Sequence, residues 1–317
     1  MASMMKLLVV VVGLLFLVPD TMQLSIDHPL HGVVERLNVN AGPFLGLVIS
    51  SSRDRKILKE STYFVPDESI PYITIAGRQF SFGKFNDQPV IYVLAGETLS
   101  NVGVTVQIMI DTFKIKGIIN YGGAATLSNK VFIADVVVPS QVAFSGVWTW
   151  EKYGSEAKNY SLKIGDYNVP EAGENTLGRI TSLKTTLYKP TNSKKKTYFF
   201  DVHPEWHQLA SQLNFGERPT VHIGDDVRMG SSDIYVSNVA FAAFLKDLKL
   251  TAVDTESAAV VATSIANGVP HIVFRGASNR PGTDSDVRLS EVTAKNVLKT
   301  VAKFIDNISP KKSANVY

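Results

Sequence analysis

The chain has 317 residues, of which 45% are hydrophobic and 19% are charged, and its net charge at pH 7 is +3. This composition is typical of a globular protein with a sizeable core, and the length fits one α/β domain of about 250 to 290 residues better than two small domains. The absence of cysteine excludes a disulfide framework. Apart from Lys194-Lys195-Lys196, the basic residues are scattered and have no aromatic residues interleaved with them, so we expect no nucleic-acid partner.

The N-terminus predicts a secretory signal peptide over residues 1–22. Lys6 precedes a 12-residue apolar run, Leu7–Val18, which ends at Pro19-Asp20. The run is too short to span a bilayer, which needs about 20 residues, but it has the length of a signal-peptide core. A buried first strand is the alternative. We therefore expect a secreted or vacuolar protein whose mature domain, residues 23–317, has no membrane partner.

Strand and helix patterns alternate along the mature chain. Apolar runs bounded by turn residues predict strands, and apolar residues at steps of three and four predict amphipathic helices. The predicted strands are 44–50, 72–85, 89–96, 117–125, 134–144, 197–202 and 270–275, and the predicted helices are 102–113, 203–213, 236–248, 257–266 and 289–308. The polar segment 157–196 indicates an insertion with long loops. The alternation predicts a three-layer α/β sandwich with a central mixed β-sheet.

A ligand site is expected where the predicted strands end. In open α/β sheets, ligands bind beyond the carboxyl ends of the strands. The segments at those ends here are 50–54, 96–101, 122–125 and 276–279.

Three segments, in order and spacing, carry a resemblance to a known family. They are NVGVTVQIMIDTFKIKGIINYGGAA at 101–125, IADVVVPSQVAFSGVWTWEKYG at 133–154 and VDTESAAVVATSIANGVPHIVFRGASN at 253–279. Together they resemble the nucleoside phosphorylase/nucleosidase superfamily, and within it the plant bark storage proteins and the methylthioadenosine/adenosylhomocysteine nucleosidases. The resemblance implies a nucleoside phosphorylase-like fold, a small-molecule nucleoside ligand with or without phosphate, no cofactor, and a homo-oligomer.

The resemblance implies that Glu256 binds the ribose. It stands at the Glu of the family segment V-[DE]-M-E, where a carboxylate accepts strong hydrogen bonds from the sugar hydroxyls. The apolar residues around it indicate burial, and an ordinary solvated helix Glu is the alternative. Thr255 stands where the family usually has Met, which removes an apolar contact beneath the sugar.

The proton donor to the leaving base is the main departure from the family. In the nucleosidases it is the Asp of a strand-end R-A-x-S-D, and the corresponding residue here is Asn279. An amide can donate a hydrogen bond to the base but cannot deliver a proton, and general acid catalysis contributes about 10²- to 10⁴-fold. Some phosphorylases of the superfamily place Asn against the purine ring, so catalysis is weakened by this residue without being excluded.

In the family, the turn after the first strand supplies the side chain that binds the nucleophile, which is water or phosphate. By spacing from Gly46, the nucleosidase Glu corresponds to Asp54, which would hold the attacking water. Phosphorylases use an Arg of the same turn for phosphate, a role open to Arg53 or Arg55. A surface turn of mixed charge is the alternative.

The base-binding residues implied by the resemblance are Tyr235, which would stack on the base, with Val236, Ala124 and Ala125 beside it. Core packing is the alternative for the tyrosine. Ala125 replaces the last glycine of the plant G-x-A-G turn, and its methyl group narrows the expected pocket. The pair His203/His207 lacks a third ligand, so we expect no metal.

Three functions remain open from the sequence. The first is cleavage of the N-glycosidic bond of a purine-type nucleoside by water or phosphate, weakened by Asn279. The second is a non-catalytic vegetative or bark storage protein. The third is an enzyme of specialised metabolism that reuses the pocket, which the changes at Thr255, Asn279 and Ala125 would also suit.

Overall fold

The computed structural model describes residues 24–150, 180–216, 218–284 and 286–309. The predicted signal peptide and residues 157–179 of the predicted insertion lie outside these ranges. Within them, no helix is both long enough and apolar enough to cross a membrane.

A mixed sheet of eleven strands forms the centre of the molecule. In the described parts of the chain, the strands are β1 Phe44–Ile49, β2 Phe64–Pro66, β3 Tyr72–Ile75, β4 Arg78–Phe85, β5 Gln88–Leu94, β6 Ile115–Thr126, β7 Val136–Phe144, β8 Trp148–Trp150, β9 Ile180–Ser182, β10 Thr185–Tyr188, β11 Lys194–Thr197, β12 Phe200–Asp201, β13 Val221–Ser231, β14 Ala252–Asp254 and β15 His271–Asn279. The main path of the large sheet runs β12-β7-β13-β14-β6-β1-β5-β4-β2, with β15 paired to β6 and β7 and with β3 paired to β4. The remaining strands of these ranges form two small sheets, β8 with β9 and β10 with β11.

Helices cover both faces of this sheet. Within the described ranges, the helices are α1 His31–Asn40, α2 Ser52–Glu60, α3 Leu99–Thr112, α4 Pro204–Ser211, α5 Val239–Asp247, α6 Ser257–Ala266 and α7 Val287–Ile308. On one face, α2, α4 and α7 pack into one apolar cluster, and on the other face α1, α3 and α6 pack into a second. The predicted three-layer α/β sandwich with a mixed central sheet is confirmed.

Strand β1 shows why the sheet needs both helical layers. Its side chains alternate between the two apolar clusters: Leu45, Leu47 and Ile49 face α2 and α7, and Phe44 and Val48 face α1 and α3. All of β1 is buried. Because successive side chains of a strand point to opposite faces, a strand that is apolar throughout has to be covered on both sides.

The structure corrects the sequence analysis at several places. The predicted turn at 50–54 leads into helix α2, which begins at Ser52, and the predicted strand 270–275 continues to Asn279. Helix α1 and strand β13 were not predicted. In β13 the run Gly224-Asp225-Asp226 interrupts the apolar pattern, and the register with β7 shifts there.

Candidate active site

A cavity of about 220 Å³ opens beyond the carboxyl ends of the parallel strands β1, β6 and β15. Its walls come from β6 and β15, from Ser50 and Ser51 after β1, and from the start of α2, the loop 234–236, the β14–α6 junction and α7. Parallel neighbours end at the same edge of the sheet, which brings segments far apart in the chain to one place.

Nine of the ten residues predicted for the site line this cavity. They are Arg53, Asp54, Ala124, Ala125, Tyr235, Val236, Thr255, Glu256 and Asn279. Arg55, the alternative phosphate ligand, lies on α2 outside the lining. The predicted segment 96–101 also contributes no lining residue.

Glu256 lies at the junction between β14 and α6, with 4% of its surface exposed. It occupies the N-cap position of α6 but does not cap the helix. Asp254 does so instead, because its Oδ1 accepts hydrogen bonds from the backbone N–H groups of Glu256 and Ser257, each at 3.1 Å. The Glu256 side chain is therefore free to line the cavity. The alternative interpretation, a solvated glutamate on a helix surface, is wrong.

A buried guanidinium holds the two carboxylates of this junction. Arg275, which is fully buried on β15, pairs through Nε with Asp254 Oδ2 at 2.7 Å and through Nη2 with Glu256 Oε2 at 3.1 Å. It also donates to the Ser50 hydroxyl and to Asn120 Oδ1. Burial raises the pKa of Glu256, and the charge of Arg275 opposes that rise. Burial alone would lower the pKa of Arg275, but Asp254 and Glu256 raise it.

Asp54 lies in the first turn of α2 with 5% of its surface exposed. The Ser51 hydroxyl donates to Asp54 Oδ2 at 2.6 Å, and Ser51 in turn accepts from the Asp54 backbone N–H at 3.2 Å as the helix cap. Burial raises the pKa of Asp54, while the Ser51 hydrogen bond and the charges of Arg275 and Arg53 oppose the rise. A carboxylate with a raised pKa at a cavity wall has the properties of a general base or acid.

Asn279 ends strand β15, where it pairs with Ala125 of β6. Its Oδ1 accepts a hydrogen bond from the Ser278 hydroxyl at 3.2 Å. The Nδ2 amide hydrogens are the donors that Asn279 can offer to a ligand, because the amide oxygen can only accept.

The mouth of the cavity carries the predicted base-stacking and phosphate-binding side chains. Tyr235 is 72% exposed, so it is not a core residue, whereas its neighbour Val236 is buried. Arg53 is exposed at the N-terminus of α2. A cationic side chain beside a helix N-terminus favours anions.

The sequence analysis placed Ser50 in a site segment but gave it no role, and it did not include Asn120 or Arg275 in the site. A charged residue inside the apolar strand HIVFRGASN was a usable signal for Arg275, because a buried charge needs a partner. The role of Ser50 has no comparable signal, because its partners lie 206 and 225 positions away. Among the described residues, no three His, Asp or Glu side chains are arranged to hold a metal ion.

The sequence model of the phosphorylase superfamily matches residues 45–309. The chain belongs to this superfamily. Bark storage protein A from Populus deltoides is 34% identical over 306 residues, which cover 91% of this chain and 96% of that protein.

Solved structures share the fold. The 5′-methylthioadenosine/S-adenosylhomocysteine nucleosidase from Helicobacter pylori, in complex with butyl-thio-DADMe-Immucillin-A, has a TM-score of 0.61 at 18% identity and covers 83% of this chain and 98% of its own. An aspartate-to-asparagine variant of the Helicobacter pylori nucleosidase, solved with 5′-methylthioadenosine in the active site, has a TM-score of 0.57 at 20% identity and covers 84% and 97%.

Replacing the buried carboxylate of Asp54 is expected to stabilise the protein at neutral pH. The pKa of Asp54 in the folded protein lies above the ordinary value of 3.8, so Asp54 ionises at lower pH in the unfolded chain than in the folded protein. As pH rises from the unfolded pKa through the folded pKa, the wild type therefore loses folding stability. Asp54→Asn removes this loss and keeps an acceptor for Ser51. Its melting temperature should exceed that of the wild type at pH 7, and the difference should shrink below about pH 4.

Thermal melts of both proteins between pH 3.5 and 8 test this, with the exposed Asp27→Asn as the control. A variant that is less stable than the wild type at pH 7 would contradict the assignment of Asp54 as a destabilising buried charge.

Proposed function

We propose that the protein binds a purine-type nucleoside in this cavity and cleaves its N-glycosidic bond slowly, by attack of water or phosphate. The observation that carries the proposal is that Glu256, Asp54, Asn279 and Tyr235 all line one cavity. A nucleoside needs an acceptor for its sugar, a group for the nucleophile, a donor for the base and an aromatic surface, and these four side chains supply them. Superfamily relatives with nucleoside analogues bound give further support.

In the proposed reaction the bond between C1′ of the sugar and the base nitrogen breaks, and a bond from C1′ to the attacking oxygen forms. Glu256 accepts a hydrogen bond from the sugar. Asp54 orients the attacking water and takes its proton, a role that its raised pKa supports. If phosphate attacks, Arg53 is the cation available at the mouth, since it lines the cavity and is exposed.

The electron pair of the broken bond passes to the base, which is costly unless the base receives a proton. Asn279 stabilises the departing base only by donating a hydrogen bond from Nδ2, because an amide has no proton to transfer and its oxygen can only accept. The base therefore leaves as an anion and takes its proton from solvent. The reaction is therefore slow. Support comes from the aspartate-to-asparagine variant of the Helicobacter pylori nucleosidase, which holds 5′-methylthioadenosine in its active site.

A storage role without catalysis is the second candidate. It is favoured by the 34% identity to bark storage protein A over nearly the full length of both chains, together with Asn279 in place of an acid. The buried acceptor Glu256 and the buried Asp54 favour the enzyme, because a pure storage protein gains nothing from two desolvated carboxylates. Reuse of the pocket for a different substrate is the third candidate.

Replacement of the sugar-binding carboxylate should weaken nucleoside binding. Hydrogen bonds to a charged group contribute about 1.5 to 3 kcal/mol, so Glu256→Gln is expected to lower the affinity for 5′-methylthioadenosine or adenosine by at least about tenfold. Isothermal titration calorimetry measures the change, with the exposed Glu291→Gln as the matched control. Unchanged affinity in Glu256→Gln would remove Glu256 from the binding site.

Restoring an acid at the end of β15 should raise hydrolysis. Asn279→Asp supplies a proton donor, and general acid catalysis is worth about 10²- to 10⁴-fold. We expect at least a tenfold rise in the release of adenine from 5′-methylthioadenosine, below the full range because Thr255 and Ala125 also depart from the family pattern and a misplaced sugar gains less from the acid.

The control for this change is Asn101→Asp, which is exposed and outside the cavity lining. Rapid hydrolysis by the wild type would show that Asn279 is no handicap. An Asn279→Asp variant that folds and binds the nucleoside yet stays inactive would favour a different substrate or a storage role.

A further inference from the structure

The two oxygens of the Glu256 carboxylate have different surroundings. Oε2 accepts from the Ser50 hydroxyl at 2.6 Å and from Asn120 Nδ2 at 3.3 Å, and it pairs with Arg275 Nη2 at 3.1 Å. Among the described residues, every hydrogen bond and ion pair of this carboxylate goes to Oε2. Oε1 is thus the oxygen left for a ligand in the cavity.

Three donors fill the capacity of Oε2. A carboxylate oxygen offers about two lone-pair directions, so a sugar hydroxyl can reach Oε2 only by displacing a donor that is already there. Arg275 and Asn120 are fully buried and are held by other partners as well, Arg275 by Asp254 and Asn120 by the backbone oxygen of Val48. Ser50, by contrast, is only partly buried and lies at the cavity wall.

Ser50 is held in place so that its proton is directed at Glu256. Its hydroxyl accepts a hydrogen bond from Arg275 Nη1 and has one proton to donate. That proton has two acceptors within reach, the Tyr121 backbone oxygen at 3.1 Å and Glu256 Oε2 at 2.6 Å. The shorter contact to the charged oxygen is the stronger one. A side chain at Gly122 would collide with Ser50, so the glycine provides the space that Ser50 occupies.

We propose that Ser50 is a specificity-determining residue that reserves Oε2 of Glu256, so that the sugar subsite recognises one hydroxyl of the nucleoside through Oε1 and tolerates loss of the other. This inference rests on the proposed nucleoside binding and adds to it the class of sugar that the site accepts. Such a site binds ribonucleosides, and it also binds deoxynucleosides that lack the hydroxyl not bonded to Oε1.

Calorimetric titration of the full chain with adenosine, 2′-deoxyadenosine and 3′-deoxyadenosine tests the proposal. In the wild type, one deoxy compound is expected to bind at least about tenfold more weakly than adenosine, and the other within about threefold of it. Ser50→Ala removes the shortest contact of Oε2 and leaves Arg275 Nη2 at 3.1 Å and the long Asn120 contact at 3.3 Å. The cavity side of Oε2 is then open, and a second sugar hydroxyl competes there only with the weak Asn120 contact. In that variant both deoxy compounds should bind at least about tenfold more weakly than adenosine.

Ser264→Ala is the matched control, because it removes a buried hydroxyl of α6 that bonds only its own helix and should keep the wild-type pattern. If Ser50→Ala fails to fold, Ser50→Gly also removes the hydroxyl and should show the same gain in discrimination. Strong discrimination against both deoxy compounds in the wild type, or an unchanged pattern in the folded Ser50 variants, overturns the role of Ser50 while nucleoside binding stands. Absence of adenosine binding to the wild type overturns both the role of Ser50 and the proposed nucleoside binding.

Discussion

The buried guanidinium of Arg275 is the contact on which both the fold of the site and its chemistry depend. It lies on β15 with none of its surface exposed and pairs with Asp254 and Glu256. It also donates to Ser50, which follows β1, and to Asn120 on β6. A buried ion that lost its partners would cost several kcal/mol, so these four segments have to stay in one arrangement. The cavity is therefore built into the sheet, and it does not depend on the surface loops alone.

Asp254 and Glu256 have different roles in this arrangement. Asp254 caps helix α6 and holds the Arg275 side chain, which leaves Glu256 free to line the cavity. A preorganised acceptor of this kind loses little conformational entropy on binding, because its position is fixed before the ligand arrives. Asn279 belongs to a different part of the site, at the end of β15. In the proposed reaction, an amide there in place of an acid alters proton transfer and leaves the proposed sugar acceptor Glu256 unchanged, so nucleoside binding and catalysis can be tested separately.

Much of this could be predicted from the sequence, and what could not has a physical explanation. The sequence predicts strand β1 and helix α6 correctly, because in both elements the buried residues form a hydrophobic pattern within a short stretch of the chain. Helix α2 was taken for a turn, because its nine residues are mostly charged and only Ile57, Leu58 and Asp54 are buried. The role of Ser50 depends on contacts between residues that the sheet brings together, and no local pattern records them. The exclusion of 96–101 from the cavity has the same origin: these residues follow β5, which is next to β1 on the side away from β6.

The central claim is that the cavity holds a nucleoside with its sugar at Glu256 and its base near Asn279. A crystal structure of the protein with a carbon-linked analogue of adenosine, which cannot be cleaved at the glycosidic position, tests it most directly. The account predicts a sugar hydroxyl within hydrogen-bond distance of Glu256 Oε1, with Ser50 still bonded to Oε2, and a ring nitrogen of the base facing Asn279 Nδ2. An analogue bound with its sugar turned away from Glu256, or bound outside this cavity, would contradict the account.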